Sequence, residues 1–364
     1  DGITGTAQCV RYFRRHGIEP IVHLPHRSRE GYGLKESSIR LLADRGVKLL
    51  ITVDTGITAH AEIEIAKNLG MDVIVTDHHH GTHGPAAAYT TIHPRIPFLT
   101  PNPNLCGSGV VFTLIRALEN GVWDGVEIDI VLAMIGTIGD IVPLTGENRL
   151  LVRRGLNLVP KLPDGPLKTL FSMTDILTPR ASDIAFRIVP RINASGRMAD
   201  PFVALKALLE GGEYLEHLSA LNRERQDLVE ELALTVDAKI QKDALFLTIA
   251  DSVIPIGIAG LLASRFTESL GRPSLIAAIH GDHCHASLRS IPQVDLREIF
   301  SDTAITQHLV SFGGHAQAAG CTFLHQNFPF VRAALQDWMS IHGHTHDLLK
   351  PTLSLYDEIQ PSLI

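Results

Sequence analysis

Two apolar runs, Lys48-Leu-Leu-Ile-Thr-Val53 and Met71-Asp-Val-Ile-Val-Thr76, constrain the fold more than any other feature of the chain. Each has the length and β-branched content of one strand, and each runs straight into an aspartate: Asp54 in Val53-Asp-Thr-Gly56 and Asp77 in Thr76-Asp-His-His79. Between them, residues 58–69 set Ile63, Ile65, Ala66 and Leu69 at spacings a helix can gather on one face. Strand, helix, strand at this spacing is a crossover unit and predicts a parallel sheet. Ligands of open parallel sheets bind at the carboxyl ends of the strands, so Asp54 and the Asp77 cluster are expected to face one crevice.

The alternation of strand-like and helical patterns runs from Asp1 to about Leu150, and 364 residues exceed what a single core usually holds. An α/β protein of two lobes is expected, with a first domain over 1–155 and a helical connector over 156–242. In the connector, Pro160, Pro163, Pro166 and Pro179 predict irregular or short-helical structure, and residues 213–242 read as one or two long helices. A smaller α/β domain over 243–345 follows, with a strand at 245–249, a helix at 257–270 and a strand at 274–279; residues 346–364 read as the start of a further region.

Composition excludes some classes. With 45% hydrophobic and 20% charged residues the chain is globular rather than disordered. No apolar run of membrane-spanning length and no basic-then-apolar leader are seen, so neither a membrane nor export is indicated and the cytoplasm is expected. Cys9, Cys106, Cys284 and Cys321 lie far apart without CxxC spacing, against a zinc ribbon or a disulfide framework. A net charge of -7 argues against a broadly basic nucleic-acid surface. A carboxylate-rich metal site lowers that total, however, while its cations restore charge locally.

Two further aspartates close the set: Asp140, ending the apolar segment 131–139, and Asp1, followed by Gly2-Ile-Thr-Gly5. Carboxylates combined with imidazoles suit Mn²⁺, whereas pure oxygen cages suit Mg²⁺ or Ca²⁺ and thiolates suit Zn²⁺. Two such ions about 3.5–4 Å apart are a standard solution for phosphodiester hydrolysis. Plainer readings stand beside this one. Asp54 could cap a helix opening at Thr58, Asp140 could cap a turn before Pro143, and Asp1 could be a frayed terminus. His78-His79-His80, with His83 nearby, could be a solvated loop.

Asp1-Gly-Ile-Thr-Gly5, Val53-Asp-Thr-Gly56, Asp77-His-His79 and Gly136-Thr-Ile-Gly-Asp140 resemble, in order and spacing, the motifs of the DHH phosphoesterase superfamily. Arg29-Glu-Gly-Tyr-Gly-Leu34, Pro190-Arg-Ile-Asn-Ala-Ser-Gly-Arg-Met198, Leu221-Asn-Arg-Glu-Arg-Gln226 and Gly313-Gly-His-Ala-Gln-Ala-Ala-Gly320 resemble its RecJ branch of single-stranded-DNA exonucleases. The resemblance covers nearly the whole chain. It implies a DHH-type catalytic domain, a helical linker and a smaller DHH-associated substrate-binding domain. It further implies metal ligation by Asp1, Asp54, His78 and Asp140, with two Mn²⁺ (or Mg²⁺) ions in the complete protein. Asp54 would bridge the ions and share in catalysis with His79 beside the scissile phosphate, while Asp77 orients its neighbours. Arg197, Ser287, Arg289, Gly314 and His315 would contact substrate phosphate, although a plain turn at Gly313-Gly314 and surface arginines are the bland alternatives.

The implied activity is 5′-to-3′ hydrolysis of single-stranded DNA to nucleoside monophosphates in repair and recombination, with a single-strand binding protein and a helicase as partners. Departures from the family are instructive. The family's first motif carries acidic residues upstream of the position of Asp1, so at least one ligand of the first ion is expected outside this chain. Likewise, an oligonucleotide-binding barrel is expected beyond Pro361. Ile254-Pro255 stands where Trp-His is usual, before Gly257-Ile-Ala-Gly260, and Ala286 stands where glycine is common. Two alternatives remain: a DHH phosphoesterase of oligoribonucleotides, cyclic dinucleotides or pyrophosphate, and a non-catalytic DNA-binding scaffold. Retention of Asp54, His78, His79 and Asp140 argues against the scaffold.

Overall fold

A computed structural model describes residues 1–26, 31, 33–81, 84–96, 102–176 and 178–342. Arg29, Glu30 and Tyr32 of the RecJ-like stretch 29–34, His83 and the segment 346–364 lie outside the described residues. The chain divides into two compact units, Asp1–Glu224 and Arg225–Ile364.

The first unit opens with α1 (Gly2–Arg15) and α2 (Glu36–Asp44), then β1 (Leu49–Val53), α3 (His60–Asn68), β2 (Asp72–Thr76) and β3 (Thr90–Ile92). The three strands form a parallel sheet in the order β1-β2-β3, as the apolar runs predict. Val53 stands opposite Thr76, and Thr76 opposite Ile92. The next residue of each strand, Asp54, Asp77 and His93, therefore leaves the sheet at the same edge. Helices follow: α4 (Gly107–Leu118), α5 (Val126–Gly139), α6 (Gly146–Leu158), α7 (Pro166–Ser172), α8 (Ala181–Asp183), a π-helical turn (Ile184–Ile188), α9 (Val189–Met198) and α10 (Phe202–Leu209).

From Asp129 to Ile138 helix α5 is buried on all sides, with Ile130 to Ile135 nearly inaccessible, which is what an almost wholly apolar helix requires. Small residues let α1 and α4 approach it. A Cβ on Gly136 would lie 2.4 Å from Ser108 Cβ and 2.7 Å from Thr4 Oγ1. At that crossing Thr4 and Gln8 donate hydrogen bonds to Ser108 Oγ at 3.0 and 2.8 Å. In the first turn of α5 the fully buried Asp129 accepts from Arg11 Nε (2.7 Å), Arg15 Nη1 (3.1 Å) and Trp123 Nε1 (2.8 Å). The carboxylate thus complements both arginines and the positive end of the helix dipole.

The segment expected to join the lobes is largely part of this first unit. Leu170, Ile184, Ile188, Leu205 and Leu218 share a core with Ala7, Val131 and Met134. Pro166 opens α7, where the missing N–H costs nothing, whereas Pro160 lies in a 3₁₀ turn that continues α6 and Pro190 directly follows the π-helical turn. The long helix α11 (Glu213–Asp237) runs across the division.

The second unit contains β4 (Leu247–Asp251), α12 (Ile256–Leu270), β5 (Ser274–His280), β6 (His283–Arg289), α13 (Leu296–Ile299), α14 (Thr303–Thr306), β7 (Ser311–Gly314), β8 (Ala318–Leu324) and α15 (Phe328–His342). Its sheet has the order β4-β5-β6-β8-β7 and is mixed: only β4 and β5 pair in parallel. Cys284, Ala286 and Leu288 of β6 and Cys321 and Phe323 of β8 pack with Leu335 and Trp338 of α15. The alternate residues of β6, His285, Ser287 and Arg289, lie on the opposite face. Among the described residues no helix is long and apolar enough to cross a membrane.

Candidate metal centre

Asp54 leaves β1 with φ +62°, a left-handed conformation rare for a residue with a Cβ and worth about 1–3 kcal/mol of strain. Its N–H donates to Thr76 O at 2.9 Å, so the turn is tied to the neighbouring strand. The kink turns the carboxylate toward His78. Capping is not its role: α3 begins at His60 after Ala59 and has no side-chain cap.

Asp77 is 1% exposed, and its carboxylate is fully occupied within the chain. Oδ1 accepts from the N–H groups of His78 (2.7 Å) and His79 (3.2 Å) and from His79 Nδ1 (2.7 Å), while Oδ2 accepts from the N–H of Ile57 (2.9 Å). Burial raises the Asp77 carboxyl, but these bonds outweigh it and hold the group below its usual range. In turn the bond from Asp77 raises the pKa of His79 against its partial burial. With Nδ1–H committed to Asp77, Nε2 is the outward nitrogen of His79.

His78 Nε2 stands at the focus of three carboxylates: Asp54 Oδ1 at 3.1 Å, Asp140 Oδ2 at 3.6 Å and Asp1 Oδ2 at 3.9 Å. Ligand-capable atoms of Asp1, His78 and Asp140 all lie within 4.8 Å of one another, and the same holds for Asp54, His78 and His79. Asp54 Oδ1 and His78 Nε2 are both buried and have no hydrogen-bond partner. Buried polar atoms are rarely left so, and two facing each other are what a bound cation would satisfy. Three carboxylates and an imidazole make a donor set for a borderline-hard divalent ion.

The local electrostatics agree. Burial, with the charge of Asp54, raises the Asp140 carboxyl, which ends α5 at the negative pole of its dipole. Burial also raises Asp54, but His78 and His79 beside it bring its carboxyl below the usual range. Asp1 is fixed by the helix opening opposite: the N–H of Gly107 donates to its Oδ2 at 2.8 Å. Gly107 has no room for a side chain, since a Cβ there would lie 2.6 Å from Asp54 Cβ and 2.7 Å from its Oδ1.

Two positioning residues escaped the sequence reading. His93 Nδ1 accepts from the N–H of Arg95 at 3.1 Å, which leaves its Nε2–H to donate to His79 O at 2.8 Å. Arg95 Nη1 donates to His78 O, also at 2.8 Å. Together they clamp the main chain of the His78-His79 pair. The available signal was His93-Pro94-Arg95 directly after a third short strand.

Of the expected substrate contacts, four share the second unit. Ser287 and Arg289 lie on β6, Gly314 ends β7, and the N–H of His315 donates to Ala318 O at 2.8 Å. The register sets Ser287 beside Gly320, and Gly320 beside Gly313. A Cβ on Gly260 of α12 would meet Arg289 Nη2 at 3.1 Å and Ser287 Oγ at 3.4 Å, so both side chains lie against that glycine. Burial depresses the pKa of Arg289. Gly314, at φ +151°, would place a Cβ 2.4 Å from Ala319 Cα, so no other residue fits. Arg197 stands in the first unit, half-buried in the last turn of α9.

Comparison with known proteins follows the same division. The DHH family N-terminal domain matches residues 1–137, and the DHHA1 domain matches 242–341. The chain is 34% identical to the single-stranded-DNA-specific exonuclease RecJ of Bacillus subtilis, over 93% of this chain and 44% of that protein. Identity to the Escherichia coli RecJ is also 34%, over 90% of this chain and 62% of the relative. The chain thus spans roughly half the length of the curated relatives it matches. A crystal structure of exonuclease RecJ bound to manganese superposes with a TM-score of 0.79 at 31% identity, covering 95% of this chain and 88% of that one. RecJ of Thermus thermophilus in complex with Mn²⁺ gives 0.82 at 29% identity, over 93% of this chain and 50% of that one. With both domain types in order and a likeness that runs the length of the chain, this protein belongs to the DHH family, in its RecJ exonuclease branch.

Proposed function

We propose that this chain is the metal-dependent core of a single-stranded-DNA exonuclease that works 5′ to 3′ and releases nucleoside monophosphates. The observation that carries the reading is the convergence of Asp1, Asp54 and Asp140 on His78 Nε2, with Asp54 Oδ1 and His78 Nε2 buried 3.1 Å apart and neither in a hydrogen bond. Those four residues would hold Mn²⁺ or Mg²⁺; relatives of known structure bind manganese. A divalent ion bound there supplies charge for a phosphodiester oxygen and lowers the pKa of water.

The chain's own residues do the rest. Asp77 holds His79 in one tautomer and favours its protonated form, so that Nε2 can donate to a phosphoryl oxygen as negative charge builds there. His93 and Arg95 keep the backbone of that pair in place. Ser287, Arg289, Gly314 and His315 of the second unit would hold a substrate phosphate, the glycine by close backbone approach; Arg197 of the first unit would make a phosphate contact of its own. On this reading the protein would act in the cytoplasm in DNA repair and recombination, beside a single-strand binding protein and a helicase.

The test is hydrolysis of 5′-labelled single-stranded DNA with Mn²⁺, run beside duplex DNA, short RNA and pyrophosphate. Single-stranded DNA should be consumed fastest, and Asp54→Ala and His79→Ala should each lose about 100-fold or more. Degradation of RNA or pyrophosphate alone, or a variant as active as the parent, overturns the reading.

A further inference from the structure

Helices α8 and α9 are joined by the π-helical turn Ile184–Ile188, a device that recurs at functional sites. The turn lies close to the metal centre: a Cβ on Gly139, the neighbour of Asp140, would be 3.2 Å from Val189 Cγ2. Phe186 precedes Val189 by less than one turn and is 80% exposed, which is unusual for a phenylalanine. Ile141 follows Asp140 directly, is 88% exposed and is held at φ +59°. That backbone conformation is a genuine outlier for a β-branched residue. Ile141 and Ala185 line one small, mostly apolar depression, of about 240 Å³, together with Val142 and Leu144.

Beside this apolar edge stands a cationic one. Arg191 Nη1 donates to Arg187 O one turn earlier. Arg187 and Arg223 are exposed, and none of Arg187, Arg191 and Arg223 pairs with a carboxylate among the described residues. Arg191 Nε is buried without a hydrogen-bond partner. Burial, and then the like charges of Arg187 and Arg223, push the Arg191 pKa down, so the three guanidinium groups feel one another. A chain of net charge -7 has many acidic residues with which to neutralise such a group.

We infer that Phe186 and Ile141, with Arg187, Arg191 and Arg223, form a second contact surface for single-stranded DNA beside the metal centre. The arginines take one or two backbone phosphates, and the apolar pair takes the face of a base. Aromatic residues interleaved with cations suit an unpaired strand, because every base offers a ring face and every nucleotide a phosphate. The inference rests on the proposed function above and extends it to residues not in contact with the scissile group.

The test measures binding of a fluorescein-labelled twelve-residue oligothymidylate by anisotropy in EDTA across a series of KCl concentrations. Arg187→Ala combined with Arg223→Ala should weaken binding about tenfold and flatten the log–log salt dependence by about 0.7 for each phosphate no longer neutralised. Phe186→Ala should weaken binding about fivefold or more with the salt slope unchanged. Arg40→Ala, which removes an exposed arginine paired with Glu36, is the control and should do neither. Arg187, Arg223 and Phe186 are exposed, so melting temperatures should match the parent. Unchanged affinity and slope in the double variant, or a parent chain that does not bind the oligonucleotide, overturns the inference. If the parent binds and the variants weaken as stated but the complete protein shows no hydrolysis with Mn²⁺, the inference stands and the exonuclease reading fails.

Discussion

Replacing Gly107 with alanine should damage the metal centre through one methyl group. The new Cβ would lie 2.6 Å from Asp54 Cβ and 2.8 Å from its Cγ, at least 0.6 Å inside the 3.4 Å where ordinary contact begins. Neither side can yield easily. Asp54 is held at φ +62° with its N–H on Thr76 O, and the N–H of Gly107 holds Asp1 Oδ2. Relief by either route moves a carboxylate by close to 1 Å. Overpacking of this kind costs about 1–3 kcal/mol, which for a unit of this size lowers the melting temperature by about 2–12 °C. Mn²⁺ affinity, read by titration calorimetry, should fall about 10–100-fold, and hydrolysis by about 100-fold, the usual cost of a misplacement near 1 Å. Gly109→Ala is the comparison, because its Cβ would press at 3.2 Å only on the end of a leucine. Equal Mn²⁺ affinities for Gly107→Ala and the parent would refute the placement of Asp54 and Asp1.

Four further outcomes are expected. Asp77 lies below its usual pKa when folded, so its contribution to stability is present above about pH 4 and disappears as the pH falls through the depressed value. Urea midpoints of Asp77→Asn should therefore fall less steeply with acid than those of the parent, and parallel curves would contradict this. Asp129→Ala leaves Arg11 and Arg15 without their buried partner and should cost about 3–5 kcal/mol in urea unfolding; a loss under about 1 kcal/mol counts against the account. His93→Ala removes the donor to His79 O and should weaken Mn²⁺ about 10–100-fold, whereas unchanged binding would assign the clamp a purely structural role. Burial pushes the Cys106 and Cys321 thiols up to about 11 and about 12, so iodoacetamide at about pH 8 should label them only in urea; rapid labelling of the folded chain would show them exposed.

The parts of the site that were legible in the sequence are those governed by local rules. Asp54 and Asp77 end strand-like runs, and the parallel crossover brings strand ends to one edge, so their proximity follows from pattern alone. Asp140 was visible as a carboxylate closing an apolar stretch. The roles of Gly107, Ser108 and Gly136 were not, because they arise from contacts between residues 28 to 132 positions apart that no spacing announces. Nothing in the sequence singles out Asp129, whose role comes from Arg11, Arg15 and Trp123 around it. The prolines of the middle segment signal the short helices found there, but composition does not show that their apolar faces join the first unit's core.

Helix α5 carries its ion-paired anchor, Asp129, in its first turn and the candidate ligand Asp140 just past its last, eleven residues apart and so about 16 Å along the axis. Because the helix is enclosed on every side, it acts as a fixed-length strut whose two ends are specified independently. Away from Gly136 and Asp129, substitutions along it exchange one packed shape for another and can be absorbed. An inserted or deleted residue cannot: it turns everything beyond it by about 100° and slides it by about 1.5 Å, so that Asp140 points away from His78 while Asp129 stays home. Lineages carrying this fold should therefore vary in what lines the strut and hold constant how long it is.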